Sequence, residues 1–70
     1  MTREIYDPMR FYSPDEYEMA IFGSVEKLAQ WRHRGMGPAF TKIGRQVRYL
    51  GSDLNDYLNR NRVTTADQPV

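Results

Sequence analysis

The feature that most constrains this chain is its punctuation. Ser13-Pro14-Asp15-Glu16, Gly23-Ser24, Gly35-Met36-Gly37-Pro38 and Ser52 interrupt it at short intervals, so no regular element can run far. Each break has its own reading. Ser13 can cap helix amides, Pro14 suits a first helical position and Glu16 closes a capping box. A first helix is therefore expected from Pro14 to Ile21, with Tyr17 and Ile21 turned inward at i, i+4 spacing. Gly23 ends it, and Ser24 caps a second helix running from Val25 to about Arg34.

Helical periodicity gives that second helix two sides. Val25, Leu28 and Trp31 fall on one, which reads as core, while Glu26, Gln30 and His33 point directly away. Lys27 and Arg34 lie on a flank. Two helices joined through Phe22-Gly23-Ser24 read as a helix-turn-helix whose second member presents a polar face. The run Gly35 to Pro38 cannot continue a helix. Beyond it, Phe40-Thr41-Lys42-Ile43 and Val47-Arg48-Tyr49-Leu50 read as a β-hairpin with the three-residue loop Gly44-Arg45-Gln46. Ser52 is expected to cap a last helix, with Asp53 in its first turn and Leu54, Tyr57 and Leu58 as its apolar stripe. Residues 1–11 read as an arm laid against the core through its aromatics, 12–60 as the domain, and 61–70 as a flexible tail.

Size and composition narrow the function. Seventy residues make one domain, and with 40% hydrophobic and 13% aromatic residues it has material for a compact core. There is no cysteine, so no disulfide or thiolate zinc site, and the single histidine, His33, cannot build a metal site without several partners. No metal or cofactor is expected. The start is too polar for a signal peptide and no apolar run approaches a membrane span, so the expected setting is the cytoplasm. Catalysis finds no support: Ser13, Ser24 and Ser52 read as caps, and Gly35-x-Gly37 is a turn without the lysine of a phosphate loop.

Charge supplies the positive indication. The net charge is only +1, yet from Lys27 to Ser52 the chain carries Lys27, Arg32, Arg34, Lys42, Arg45 and Arg48 with no carboxylate. Six acids precede that stretch and Asp53, Asp56 and Asp67 follow it. Such segregation is the electrostatic footprint of a nucleic-acid surface.

In order, Ser13-Pro14-Asp15-Glu16, Leu28-x-x-Trp31-Arg32-x-x-Gly35, Gly37-Pro38-x-Phe40-x-Lys42-Ile43-Gly44-Arg45-x-Val47-Arg48-Tyr49 and Ser52-Asp53-Leu54-x-x-Tyr57-Leu58 resemble the small MerR-like winged-helix proteins, the excisionase and AlpA-type group of phages and integrative elements. The resemblance runs from about Tyr12 to Leu58. It implies an α+β winged helix-turn-helix, with three helices and a two-stranded β-hairpin wing. It also implies a bacterial or phage-encoded recombination directionality factor that bends attachment-site DNA for a tyrosine integrase and self-associates along it. An AlpA-like promoter regulator is the alternative, since both tasks need the same residues. A protein-binding module that has lost DNA binding is a third reading, against which the intact cation set argues. Departures from relatives fall at Glu26, Lys27 and Gln30, on the recognition helix, and at Phe22, in the turn before it.

The expected partner is double-stranded DNA, its major groove met by the second helix and its minor groove or backbone by the wing. Gln30 can pair with adenine N6 and N7, and Glu26 can accept from cytosine N4. Glu26 is otherwise a solvent-facing residue favoured by the helix dipole. His33 is a groove-edge or phosphate contact, or a surface histidine without a role. Ser24, Lys27 and Arg34 complete the recognition-helix set, and Lys42, Arg45, Gln46 and Arg48 form the wing set. Arg45, at the hairpin tip, is the candidate for minor-groove entry. Arg48 alternatively pairs with a nearby carboxylate.

Overall fold

A computed structural model describes residues 4–62. Strand β1 (Phe11–Tyr12) leads into a 3-10 helix (Tyr17–Phe22), helix α1 (Val25–Arg34), strands β2 (Thr41–Ile43) and β3 (Gln46–Leu50), and helix α2 (Gly51–Arg60). The three helices and the β2–β3 hairpin make a small α+β winged helix-turn-helix. Beyond the expected pair of strands, β1 joins the sheet on the other edge of β3, in the order β1-β3-β2. Phe11 stands opposite Leu50 and Tyr12 opposite Tyr49, antiparallel. Nothing in the periodicity of so short a strand marks it.

The first helix differs from expectation in start, type and face. Glu16 N donates to Ser13 O at 3.0 Å and Ser13 N to the Glu16 carboxylate at 2.8 Å, while the Ser13 hydroxyl is taken by Asp15. Pro14 thus occupies the second position of a β-turn, the other place its fixed φ suits. The helix begins only at Tyr17 and is 3-10 throughout. Three residues per turn place positions i and i+3 on one side. Met19 and Phe22 are therefore the buried pair, and Tyr17 and Ile21 are exposed. Gly23 ends the helix at φ 114°, its N–H on Ala20 O.

Tyr6, Tyr12, Met19, Phe22, Leu28, Tyr49 and Leu54 form the core, flanked by half-buried Trp31, Val47, Tyr57 and Leu58. Much of it is aromatic. Tyr6 stacks on Phe22 and meets Tyr12 edge-on, and Phe22, Trp31 and Tyr57 lie within 6.5 Å of one another centroid to centroid. Such pairs add about 0.5–1.5 kcal/mol each beyond area burial, which matters for a domain this small.

Residues 4–10 of the arm are built into the fold. The Tyr6 ring is buried and its hydroxyl donates to Glu18 O at 2.6 Å. Burial pushes the Tyr6 phenol up to about 12, with Tyr12 and Glu18 adding to the effect. Arg10 reaches Glu16 and Glu18 and lies over the Tyr12 ring.

The arm also decides where α2 starts. Expected as the cap, Ser52 instead lies inside the first turn, and Leu50 at the cap position makes no side-chain bond. The leading amides find main-chain partners: Gly51 N donates to Arg10 O at 2.8 Å and Ser52 N to Pro8 O at 3.3 Å. These groups lack intrahelical acceptors, so the arm replaces a capping side chain. Residue 51 must be glycine, because a Cβ there would stand 1.8 Å from Asp7 O. The expected stripe of α2 is present, Leu54 buried with Tyr57 and Leu58 half-buried, and Asn55 is buried beside it. Of the arm and tail, residues 1–3 and 63–70 lie outside the described residues.

Candidate nucleic-acid interface

Helix α1 is closed at both ends by local chemistry. Ser24 Oγ accepts from Lys27 N at 3.1 Å. At the other end Gly35 adopts φ 70°, its N–H bonding Arg32 O while Met36 N bonds Trp31 O at 2.7 Å. That reciprocal pair is a Schellman stop. Leu28 is fully buried, and Trp31 packs between Phe22 and Tyr57. Gly37 covers the indole so closely that a Cβ would meet Trp31 at 2.5 Å. Val25, expected to face inward, is 44% exposed, because the turn at Gly23-Ser24 holds the first turn of α1 off the core.

With Leu28 and Trp31 inside, the opposite face stands in solvent. Glu26, Lys27, Gln30, His33 and Arg34 are all exposed. Gln30, His33 and Arg34 line one open depression together with Ala29. Glu26 and Gln30 stand one turn apart, so they share that face. Lys27 is drawn aside, its ammonium 5.0 Å from the centre of the Trp31 ring.

The wing stands beside this face. Lys42 pairs with Val47 and Ile43 with Gln46, so the loop is only Gly44-Arg45, with Gly44 at φ 63°. Glycine with positive φ in the first of two loop positions is the usual tight hairpin closure. The expected three-residue loop is thus one shorter, and Gln46 belongs to β3. Because the side-chain period of a strand is two, Lys42 shares its face with Val47 and Tyr49. Lys42, Val47 and Phe40 meet Ala29, Arg32 and His33 across a groove of about 310 Å³ between α1 and the wing. Arg45 is exposed at the tip.

The other wing residues lie elsewhere. Gln46 and Arg48 alternate onto the opposite face, where Arg48 donates to Gln46 Oε1 and to Val47 O, both at 2.8 Å. Thus Gln30, His33, Arg34 and Lys42 gather around the groove and its neighbouring depression, while Gln46 and Arg48 do not. Ser24 spends its hydroxyl on the cap.

One cation of the acid-free stretch has a partner that the sequence does not show. Half-buried Arg32 donates to Tyr49 Oη at 2.9 Å across the floor between helix and hairpin. A clue exists: a tyrosine on the inward face of a strand needs a partner for its hydroxyl, and the cation next to Trp31 is within a short reach of the core.

A helix-turn-helix domain family model matches residues 18–62. No curated protein and no solved structure matches the chain. The matched span holds most of the 3-10 helix, α1, the hairpin and α2, and leaves out the arm that caps α2.

Proposed function

The chain belongs to the helix-turn-helix domain family, and from that membership we propose that it is an excisionase, a sequence-specific DNA-binding protein that performs no chemistry itself. Domains of this kind lay their second helix in the major groove of duplex DNA. The observation that carries the reading is the pairing of two surfaces. The exposed face of α1 bears Glu26, Gln30, His33 and Arg34, and the wing holds Lys42 across a groove from His33.

In this reading Gln30 and Glu26 address base edges, while Lys27, Arg34, Lys42 and Arg45 hold the backbone. Cations set beside a polar helix supply affinity through counterion release, and the helix supplies discrimination. One short helix and one wing bind a limited stretch, so repeated sites and protomer contacts along DNA raise apparent affinity. The protein then bends an attachment site in a bacterial or phage genome for a tyrosine integrase. Among the described residues no helix is long and apolar enough to cross a membrane.

The test is integrase-mediated excision of an attachment-site substrate with and without the protein. Stimulation supports the excisionase role. No stimulation, together with a footprint confined to a promoter, assigns the same surface to an AlpA-like transcriptional regulator instead.

A further inference from the structure

We propose that Arg32 is a positioning residue that ties the recognition helix to the wing through Tyr49, and is not one of the phosphate ligands. By sequence Arg32 belongs to the acid-free cationic stretch, indistinguishable from Lys27 or Arg34. Its surroundings separate it from them. It is half-buried where Arg34 is exposed, and its Nη1 donates to Tyr49 Oη at 2.9 Å. The guanidinium carbon lies 5.8 Å from the Phe40 ring centre and 6.0 Å from that of Tyr49, so the group caps the pair of rings from one side. Those rings meet each other edge-on at 6.3 Å.

The consequences follow from which elements these residues belong to. Arg32 is on α1, Tyr49 on β3, and Phe40 on the segment entering β2. Tyr49 itself is 1% exposed, within the core. The tie therefore anchors the exposed end of α1 to the root of the hairpin, and it floors the groove whose walls carry His33 and Lys42. A planar guanidinium with a fixed fork suits this double engagement, hydrogen bond at one edge and ring at its face. Placing helix and wing at a set separation determines whether both meet one duplex together. This assignment rests on the reading that α1 and the wing bind DNA jointly.

The test uses a duplex selected by the wild-type protein from a random-sequence library. Affinity is measured for wild type, Arg32→Gln, Tyr49→Phe and the double variant, at a temperature where circular dichroism shows each fully folded. Tyr49→Phe keeps the buried ring and removes only the acceptor, so it tests the tie without touching any cation. If Arg32 acts through Tyr49, both single changes weaken binding roughly ten-fold and the double variant is no weaker than either. The dependence of affinity on salt then stays as in wild type. A mere stabilising role would leave the affinity of folded molecules unchanged, which overturns the proposal. It is also overturned if Tyr49→Phe binds normally while Arg32→Gln lowers the salt slope by about 0.9, the signature of one lost phosphate contact. Failure of the wild-type protein to select any duplex removes the DNA-binding reading itself, a distinct outcome.

Discussion

The side chain of Asn55 bonds both main-chain groups of Tyr6, a residue 49 positions away: Tyr6 N donates to Oδ1 and Nδ2 donates to Tyr6 O, each at 2.9 Å. Asn55 is 3% exposed, and its amide stands in for a neighbouring strand. The pair joins the arm to the last helix, and with Gly51 and Ser52 it makes the arm a part of the domain.

Asn55→Ala should destabilise the domain by about 2–3 kcal/mol, because two buried backbone groups lose their partners at once. Urea unfolding followed by circular dichroism checks it. An unchanged midpoint would mean that water or an alternative partner serves Tyr6 equally well.

Gly51→Ala should have an effect of similar size, about 2–3 kcal/mol, by forcing the Asp7 carbonyl away. The distinguishing readout is hydrogen exchange: protection of the residue 51 and Ser52 amides falls before that of the Leu28 turn. Uniform loss of protection would contradict the arm's role as a cap.

Tyr6 predicts an alkaline weakness. Its phenol is held up to about 12 against an ordinary 10.0. The folded state therefore keeps a proton that the unfolded chain releases, and stability falls as the pH rises from about 10 towards 12. Below about pH 10 this contribution is complete. Tyr6→Phe should cost about 1 kcal/mol at neutral pH from the lost bond to Glu18 O, and it should show a shallower decline above pH 10. Parallel alkaline melts of the two proteins settle whether Tyr6 is responsible.

On the proposed binding face, Gln30→Ala and Glu26→Ala should relax preference for the selected sequence by about 1–3 kcal/mol each while barely changing affinity for unrelated duplex. Arg45→Ala should do the reverse, lowering affinity for every sequence and reducing the salt slope by about 0.9. Titrations at several salt concentrations on both duplexes measure all of these effects. Equal losses on both duplexes for Gln30→Ala would show that it does not read bases.

Local chemistry made helix α1 readable. Ser24, Gly35 and the Leu28–Trp31 spacing act within a few residues of one another, so its span, caps and exposed polar face follow from sequence. The hairpin follows for the same reason, its turn being set by Gly44, although Gln46 pairs with Ile43 and shortens the expected loop by one residue. Ser13-Pro14-Asp15-Glu16 was ambiguous by nature, since the same residues suit a helix start and a β-turn. A partner distant in sequence leaves no periodic mark, so nothing in the pattern of α2 sets Asn55 apart from its other polar residues.

The sequence alone determined the order of the helices and the hairpin, the family resemblance and the polar face of α1, because capping, turn formation and helical period are local. Only the tertiary structure decided that the arm caps α2, that the first helix is 3-10 and buries Met19 and Phe22, and that Arg32 faces Tyr49. Those outcomes depend on which distant surfaces meet, and one cation looks like another until its neighbour is known.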